Sequence, residues 1–315
     1  MTSRREAAQW LLGGGLMAGA GAAARAQSTP AAPVQGAPAM GEPPAAEGRG
    51  ARAPRLGLAL GGGSARGFAH IGVLKSLDQA GIRPEVVVGT SAGALVGAFY
   101  AAGFSSWKIE EVALRTREVD LADLAQGSKR GMLVGDSLTR FVGEALRGAR
   151  IEDLRTRYAA VATDLRTGEL VLLRSGPVAD AVRASCSIPG VFVPRELGGR
   201  ELVDGGLVSP LPVRAARQLG CDMVIAVDVG TRPNRAALPG MYEVLMQSFE
   251  IMGRALSEQE AQAAEIVLRP DTSAFASTDF NARRDLIQAG YEAAQRALPD
   301  LRRRLGAPVT RPRRG

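Results

Sequence analysis

Histidine is almost absent from this chain: His70 is the one copy in 315 residues. Any Ser-His-acid arrangement would have to use it, and a His-based metal site has no ligands to draw on. Cysteine is nearly as scarce, with only Cys186 and Cys221. Each lies in or beside an apolar segment, where a free buried thiol is common, so no disulfide is expected. No Cys, His or acidic cluster has metal-ligand spacing, and neither a metal nor any other cofactor is expected. The glycine-rich loop early in the chain lacks a terminal G-K-[ST], which excludes a Walker-type phosphate loop.

What the chain does contain is Val86-Val87-Val88-Gly89-Thr90-Ser91-Ala92-Gly93-Ala94, an apolar β-branched run that ends in G-x-S-x-G and passes into a small-residue helical stretch. A strand that turns sharply into a helix puts the Ser91 hydroxyl on the crest of the turn, and Gly89 and Gly93 give the turn room. The helix that follows points free amides and a positive dipole end at the serine, which suits stabilisation of an oxyanion. A serine in a glycine-rich strand–helix turn is the plainer alternative.

A nucleophilic serine needs a base. His70 lies upstream of Ser91 within Gly67-Phe68-Ala69-His70-Ile71-Gly72, a segment that reads as the body of a helix. There a packing or hydrogen-bonding role is expected of it. Among carboxylates Asp204 stands out, in Leu202-Val203-Asp204-Gly205-Gly206-Leu207, at the end of an apolar pair and ahead of two glycines. A sheltered aspartate within reach of the serine can act as general base; an Asp-Gly turn is the alternative. Asp164 and Asp228 also end apolar runs and read as loop or cap residues.

The third segment is Leu56-Gly57-Leu58-Ala59-Leu60-Gly61-Gly62-Gly63-Ser64-Ala65-Arg66-Gly67, a strand entering a glycine loop ahead of a helix that begins near Phe68. Consecutive glycine amides can form a nest for negative charge. The dinucleotide pattern G-x-G-x-x-G fails in both registers, with Arg66 or Ser64 in a glycine position.

These segments, in this order, resemble the patatin-like phospholipase family. The resemblance implies oxyanion-hole glycines at Gly61, Gly62 and Gly63, a nucleophile at Ser91 and a base at Asp204. Arg66, Gly67, Gly89, Gly93, Gly205 and Gly206 support the motifs, and Ala184 to Pro194 matches the block that precedes the aspartate. It further implies a three-layer α/β domain, with a mostly parallel central sheet and helices on both faces. The expected chemistry is two-step acyl transfer on a membrane lipid or another acyl ester. A binding or regulatory protein that keeps the fold with little hydrolysis is the other reading. Ser64 departs from the glycine found in many members.

Arg4-Arg5 precede a moderately apolar stretch from Trp10 to Ala23 that ends in Ala24-Arg25-Ala26. This reads as an export signal over 1–26 rather than a span, which needs about 20 apolar residues. Ser3-Arg4-Arg5 favours the twin-arginine route over the general one, and the expected location is periplasmic or secreted. An uncleaved anchor is the alternative. Residues 27–55, rich in Ala, Pro and Gly, read as a disordered linker. Residues 56–217 form the catalytic core, and 218–301 add strands and helices to the same domain. Of the net charge of +7, the first 26 residues supply +2 and the six arginines of 302–315 supply +6, so the body is near neutral. That arginine-rich tail could contact anionic membrane surfaces; no nucleic-acid partner is expected.

Overall fold

The computed structural model describes residues 54–117, 121, 123–230 and 240–306. The expected export signal, nearly all of the expected linker and the chain after 306 lie outside them. Strand β1 (Leu56–Leu60) passes through a 3-10 turn (Ser64–Phe68) into α1 (Ala69–Gln79), and β2 (Val86–Thr90) turns into α2 (Ala92–Ala101). Helix α3 (Ser106–Arg115), strand β3 (Gly131–Leu133) and helix α4 (Asp136–Ala145) come next. They are followed by β4 (Arg157–Asp164), β5 (Leu170–Leu173) and α5 (Val178–Ser185). Short strands β6 (Gly190–Phe192), β7 (Arg195–Leu197) and β8 (Arg200–Asp204) lead to α6 (Val213–Gln218) and β9 (Met223–Val227). Helix α7 (Met241–Ala261), strand β10 (Ile266–Leu268) and helix α8 (Arg283–Arg304) close the described chain.

The main sheet runs β10-β9-β1-β2-β4-β8-β7, with β5 on the other edge of β4. Its first five strands are parallel, and β5, β7 and β8 join antiparallel. Alternate residues of the central strands feed two cores, as a pleat of period two requires. Leu58, Leu60, Val87 and Ile225 pack beneath α1, α2 and α8, whereas Ala59, Val86, Val88 and Ala226 pack beneath α6. The result is a three-layer α/β domain with a mostly parallel sheet. Helices α1 and α8 touch backbone to backbone: a Cβ on Gly72 would lie 1.8 Å from the Ile287 carbonyl oxygen.

One pairing arrangement fixes the site. β2 pairs with β4 up to Thr90 beside Val161, and β8 pairs with β4 from Leu202 beside Asp164 to Asp204 beside Ala162. The opposite edge of β4 is already taken by β5 from Ala160 to Thr163. β2 and β8 therefore share one edge of β4 and meet head-on. Neither chain can continue along that edge, so each turns out of the sheet at the meeting point.

Two features depart from the sequence reading. The stretch from Trp107 to about Arg147, whose polar-faced pattern predicts helix with a break around Gly127 to Gly135, holds strand β3 within that break, paired in parallel with β6 as a separate ribbon. Three-residue strands are too short to show a period. The first arginines of the expected tail, Arg302 to Arg304, instead form the last turn of α8. There they offset the negative end of the helix dipole, and Arg303 and Arg304 pair with Asp300.

Candidate active site

Ser91 sits at the turn between β2 and α2 with φ 54° and ψ −121°, a conformation that side-chain-bearing residues rarely adopt. Strain of this kind persists only where surrounding structure enforces it. The close approach of chain on either side does so. A Cβ on Gly89 would lie 2.3 Å from the Gly93 carbonyl oxygen, and one on Gly93 would lie 2.2 Å from that of Leu60. The Ser91 amide donates to Ser185 Oγ at 2.9 Å, and Ser185 in turn donates to the Val161 carbonyl at 2.6 Å. Thr90 Oγ1 donates to the Ser209 carbonyl at 2.8 Å, holding the strand end to the segment after β8.

Asp204 ends β8 directly beside this turn. Its amide donates to the Ser187 carbonyl at 2.9 Å, and its own carbonyl accepts from Thr163 Oγ1 at 2.9 Å. Of the carboxylate oxygens, Oδ1 accepts from the Gly206 amide at 2.7 Å, and Oδ2 is buried with no partner. Burial pushes the carboxyl up to about 6, against the opposing pull of the Ser91 hydroxyl and the Gly206 amide. The serine is thus near enough to favour the carboxylate, though no aligned hydrogen bond joins the two side chains. Catalytic hydrogen bonds are commonly looser before substrate arrives. Gly205 is needed for close approach, since a Cβ there would lie 2.3 Å from the Val161 carbonyl oxygen.

The glycine loop requires a correction. The Gly61 amide donates to the Val227 carbonyl at 3.0 Å and the Gly62 amide to that of Pro210 at 2.8 Å. Both donors are committed to holding the loop between β9 and the segment after β8, so they are not the oxyanion donors expected of them. Among the described residues the amides of Gly63, Ser64 and Ala92 make no hydrogen bond. Gly62 still shapes the site, because a Cβ there would touch that of Ser91 at 3.5 Å.

Ser64, in the position where many members carry glycine, has φ 49°. A left-handed conformation costs a side-chain-bearing residue about 1–2 kcal/mol, partly offset by glycine's greater freedom when unfolded. Ser64→Gly is therefore expected to raise stability in urea unfolding by about 0.5–1 kcal/mol.

His70 has no catalytic placement. Its imidazole is fully buried, with Nε2 2.8 Å from the Gly61 carbonyl oxygen. Burial pushes its pKa down to about 4, against the opposing effect of that bond. The ring is therefore neutral, donates through Nε2, and holds the carbonyl at the start of the loop. Burial likewise pushes the Cys186 thiol well up, and the Asp204 charge adds to the shift. A thiolate at this position is disfavoured.

Arg66 is buried, and its Nη2 lies 3.1 Å from Glu250 Oε1, tying the loop to α7. Gly67 lets the first turn pack on α2, since a Cβ there would lie 2.4 Å from that of Ala92. Asp164 caps the turn before β5 by accepting from the Arg166 and Thr167 amides. Asp228 pairs with Arg254 and Arg269. Both act as the loop and cap residues expected.

The chain from Arg183 to Ser187 supplies positioning residues that sequence reasoning missed. Arg183 is 2% exposed and donates to Ser187 Oγ at 2.5 Å, to the Val193 carbonyl at 2.7 Å and to the Val134 carbonyl. Ser187 then holds Asp204 through its carbonyl. Ser185 and Ser187 are both wholly buried, which nothing in the sequence around them marks.

Ser91, Asp204, Gly63 and Arg66 open onto a cleft of about 170 Å³, walled by Ile188 and Pro189 and by Met246, Phe249 and Gly253 of α7. A larger surface hollow of about 340 Å³, between α1, α3 and α8, holds neither Ser91 nor Asp204. Among the described residues no group of His, Cys, Asp and Glu converges as metal ligands would.

A strained serine at a strand–helix elbow, beside a sheltered aspartate in a three-layer sheet, defines the class as an α/β protein with an elbow serine. The patatin-like phospholipase family model matches residues 58–217, and the chain belongs to that family. It is 40% identical over 211 residues to an uncharacterised NTE family protein of Mycobacterium tuberculosis, across 64% of this chain and 57% of that one. It therefore spans little more than half the length of that relative. It is 29% identical over 268 residues to lysophospholipase NTE1 of Kluyveromyces lactis, across 75% of this chain and 18% of that protein. The crystal structure of VipD from Legionella pneumophila matches with a TM-score of 0.46 and 14% identity, over 79% of this chain and 67% of that one.

Proposed function

We propose that the protein is a serine lipid acyl hydrolase. Ser91 Oγ attacks the ester carbonyl carbon while Asp204 Oδ2 accepts the hydroxyl proton. The carbonyl oxygen gains the charge, stabilised by the unpaired amides of Gly63, Ser64 and Ala92. The intermediate collapses to an acyl-serine, and the leaving alcohol takes the proton from Asp204. A water then gives a proton to Asp204 as its oxygen attacks the acyl carbon, and the intermediate collapses to the fatty acid while Ser91 Oγ leaves with the proton returned from Asp204.

The observation that supports this reading most is Asp204 itself. One of its oxygens is held by a backbone amide, the other is buried and unpartnered, and the Ser91 hydroxyl is near enough to pull on the carboxyl. An ordinary turn aspartate would have both oxygens in water or capped. Its raised pKa of about 6 suits a base that must exchange protons near neutral pH. The family and the lysophospholipase relative support lipid esters as the substrate class. The Arg4-Arg5 signal supports a location outside the cytoplasm.

Wild-type protein is expected to hydrolyse a short-chain p-nitrophenyl ester and to be labelled by a fluorophosphonate at Ser91. Ser91→Ala is expected to lose labelling and about four or more orders of magnitude in kcat. A wild type that neither turns over nor labels would leave the binding-protein reading in its place.

A further inference from the structure

Large apolar side chains left in solvent are unevenly placed on this molecule. Of nine among the described residues, Val244, Leu245, Ile251 and Met252 lie on α7, and Leu124, Met132 and Val134 lie on or beside β3. The first group lies on a helix that walls the cleft, and the second on a ribbon whose other strand follows the cleft-lining Ile188 and Pro189. Helix α7 turns Met246, Phe249 and Gly253 into it, at helical spacing. On its outer side Val244 and Leu245 recur as Ile251 and Met252 two turns later, with the uncharged Ser248 and Ala255 exposed alongside them, and the stripe ends at the exposed Glu258, which pairs with Arg254. β3 pairs with β6, which continues directly from the cleft-lining Ile188 and Pro189. Leu124 bridges to Leu133 on the same ribbon, and at its turn Lys129 stands exposed beside Arg130, which pairs with Glu201 at 2.6 Å.

A surface helix ordinarily presents a polar side to water, and α7 presents apolar residues on both sides. The cleft between these elements, at about 170 Å³, is smaller than the roughly 300–1,000 Å³ that encloses a drug-sized ligand. It has room for a reacting ester but not for a whole long-chain lipid. The remainder of such a substrate must lie outside the cleft, against α7 and the β3–β6 ribbon.

We propose that the outer side of α7 and the β3–β6 ribbon form one docking face for a phospholipid surface, placing the Ser91 cleft against the acyl boundary. The proposal rests on the lipid-hydrolase reading above. A phospholipid surface is the occupant that matches the arrangement, because apolar residues lie on the elements flanking the cleft and the exposed Lys129 stands at the ribbon turn. A lipid drawn from that surface reaches Ser91 without its chain crossing water. A second protein copy seated on both edges would instead cover the cleft mouth.

The test uses the full chain and vesicles of phosphatidylcholine containing phosphatidylglycerol. Two sets of substitutions are made: Leu245→Ser with Ile251→Ser and Met252→Ser, and Leu124→Ser with Met132→Ser. Each set is expected to lower vesicle co-sedimentation and hydrolysis of vesicle-borne phospholipid by about tenfold or more, while turnover of a monomeric short-chain ester stays within about twofold. In the wild type, amide hydrogen exchange in α7 and the ribbon is expected to slow when vesicles are added. This measurement stands even if a variant folds poorly.

Vesicle binding unchanged in both variant sets, or no exchange protection in the wild type, would overturn the docking face. A wild-type dimer that dissociates in the α7 variant would overturn it in favour of a second copy. Hydrolysis of monomeric esters without vesicle binding sinks the docking face and leaves the hydrolase standing. Vesicle binding through this face without hydrolysis of any ester sinks the hydrolase and leaves the docking face standing.

Discussion

Asp204→Asn is expected to lower kcat on any accepted ester by about four orders of magnitude and, at the same time, to make the protein more stable above pH 6. Both effects come from one burial. The folded chain holds the Asp204 carboxyl at about 6, above its ordinary value of 3.8, because desolvation penalises the charged form. A raised carboxyl favours the folded state while protonated. That contribution is complete below the unfolded value and is lost as pH rises through about 6. At neutral pH the folded protein therefore bears the cost of a desolvated carboxylate, at most about 3 kcal/mol for a shift of this size. An amide carries no such charge. Urea unfolding at about pH 8 should show the asparagine variant to be the more stable, and the gap should close below about pH 4. Wild-type turnover should fall with acid through a midpoint near 6, and whatever turnover the variant retains should lack that limb. An unchanged acid limb in the variant would assign the base to another group.

Arg183→Met is the second large effect, and it reaches the site without touching substrate. The Arg183 guanidinium is buried, with no carboxylate at ion-pair distance among the described residues, and donates to two backbone carbonyls and the Ser187 hydroxyl. Phe192 lies under it, 5.0 Å from the ring centre. Methionine approximates its length but leaves the Val134 and Val193 carbonyls without donors. Each buried carbonyl so stranded costs about 1–3 kcal/mol, and a total loss near 3 kcal/mol is expected in denaturant unfolding. Ser187 also loses a restraint, and Ser187 holds the Asp204 amide. Turnover of a monomeric ester should therefore drop by about tenfold in kcat with little change in KM, and the acid midpoint should move with it. Stability lost with no change in kcat or midpoint would confine Arg183 to the fold.

The parts of the candidate site that could be located from sequence are those marked by contiguous residues. The strand over Val86 to Thr90 and the elbow at Ser91 were legible because the apolar run, the glycines and the helix are contiguous. Asp204 followed from the poverty of histidine. The misassignment at Gly61 and Gly62 was of a different kind. Whether those amides are free depends on the Val227 and Pro210 carbonyls, which lie more than a hundred residues further along the chain. Arg183, Ser185 and Ser187 were invisible for the same reason, since their partners come from β4, β8 and the ends of β3 and β6. Ile109, Leu138 and Val142 are core residues, and it is Met246, Phe249 and Gly253 of α7 that wall the cleft.

Strand β4 works as a ruler for the chemistry. Val161 marks where the serine strand stops, and its neighbour Ala162 marks where the aspartate strand stops. The two functional side chains are thus gauged by one backbone step of about 3.3 Å, not by the loops and helices that separate them in the chain. Long insertions between β2 and β8 should leave that gauge unread, provided β4 and its edges are intact. Adding a single residue between Val161 and Ala162, or deleting either of them, would shift one mark against the other and turn every later side chain of β4 to the opposite face of the sheet.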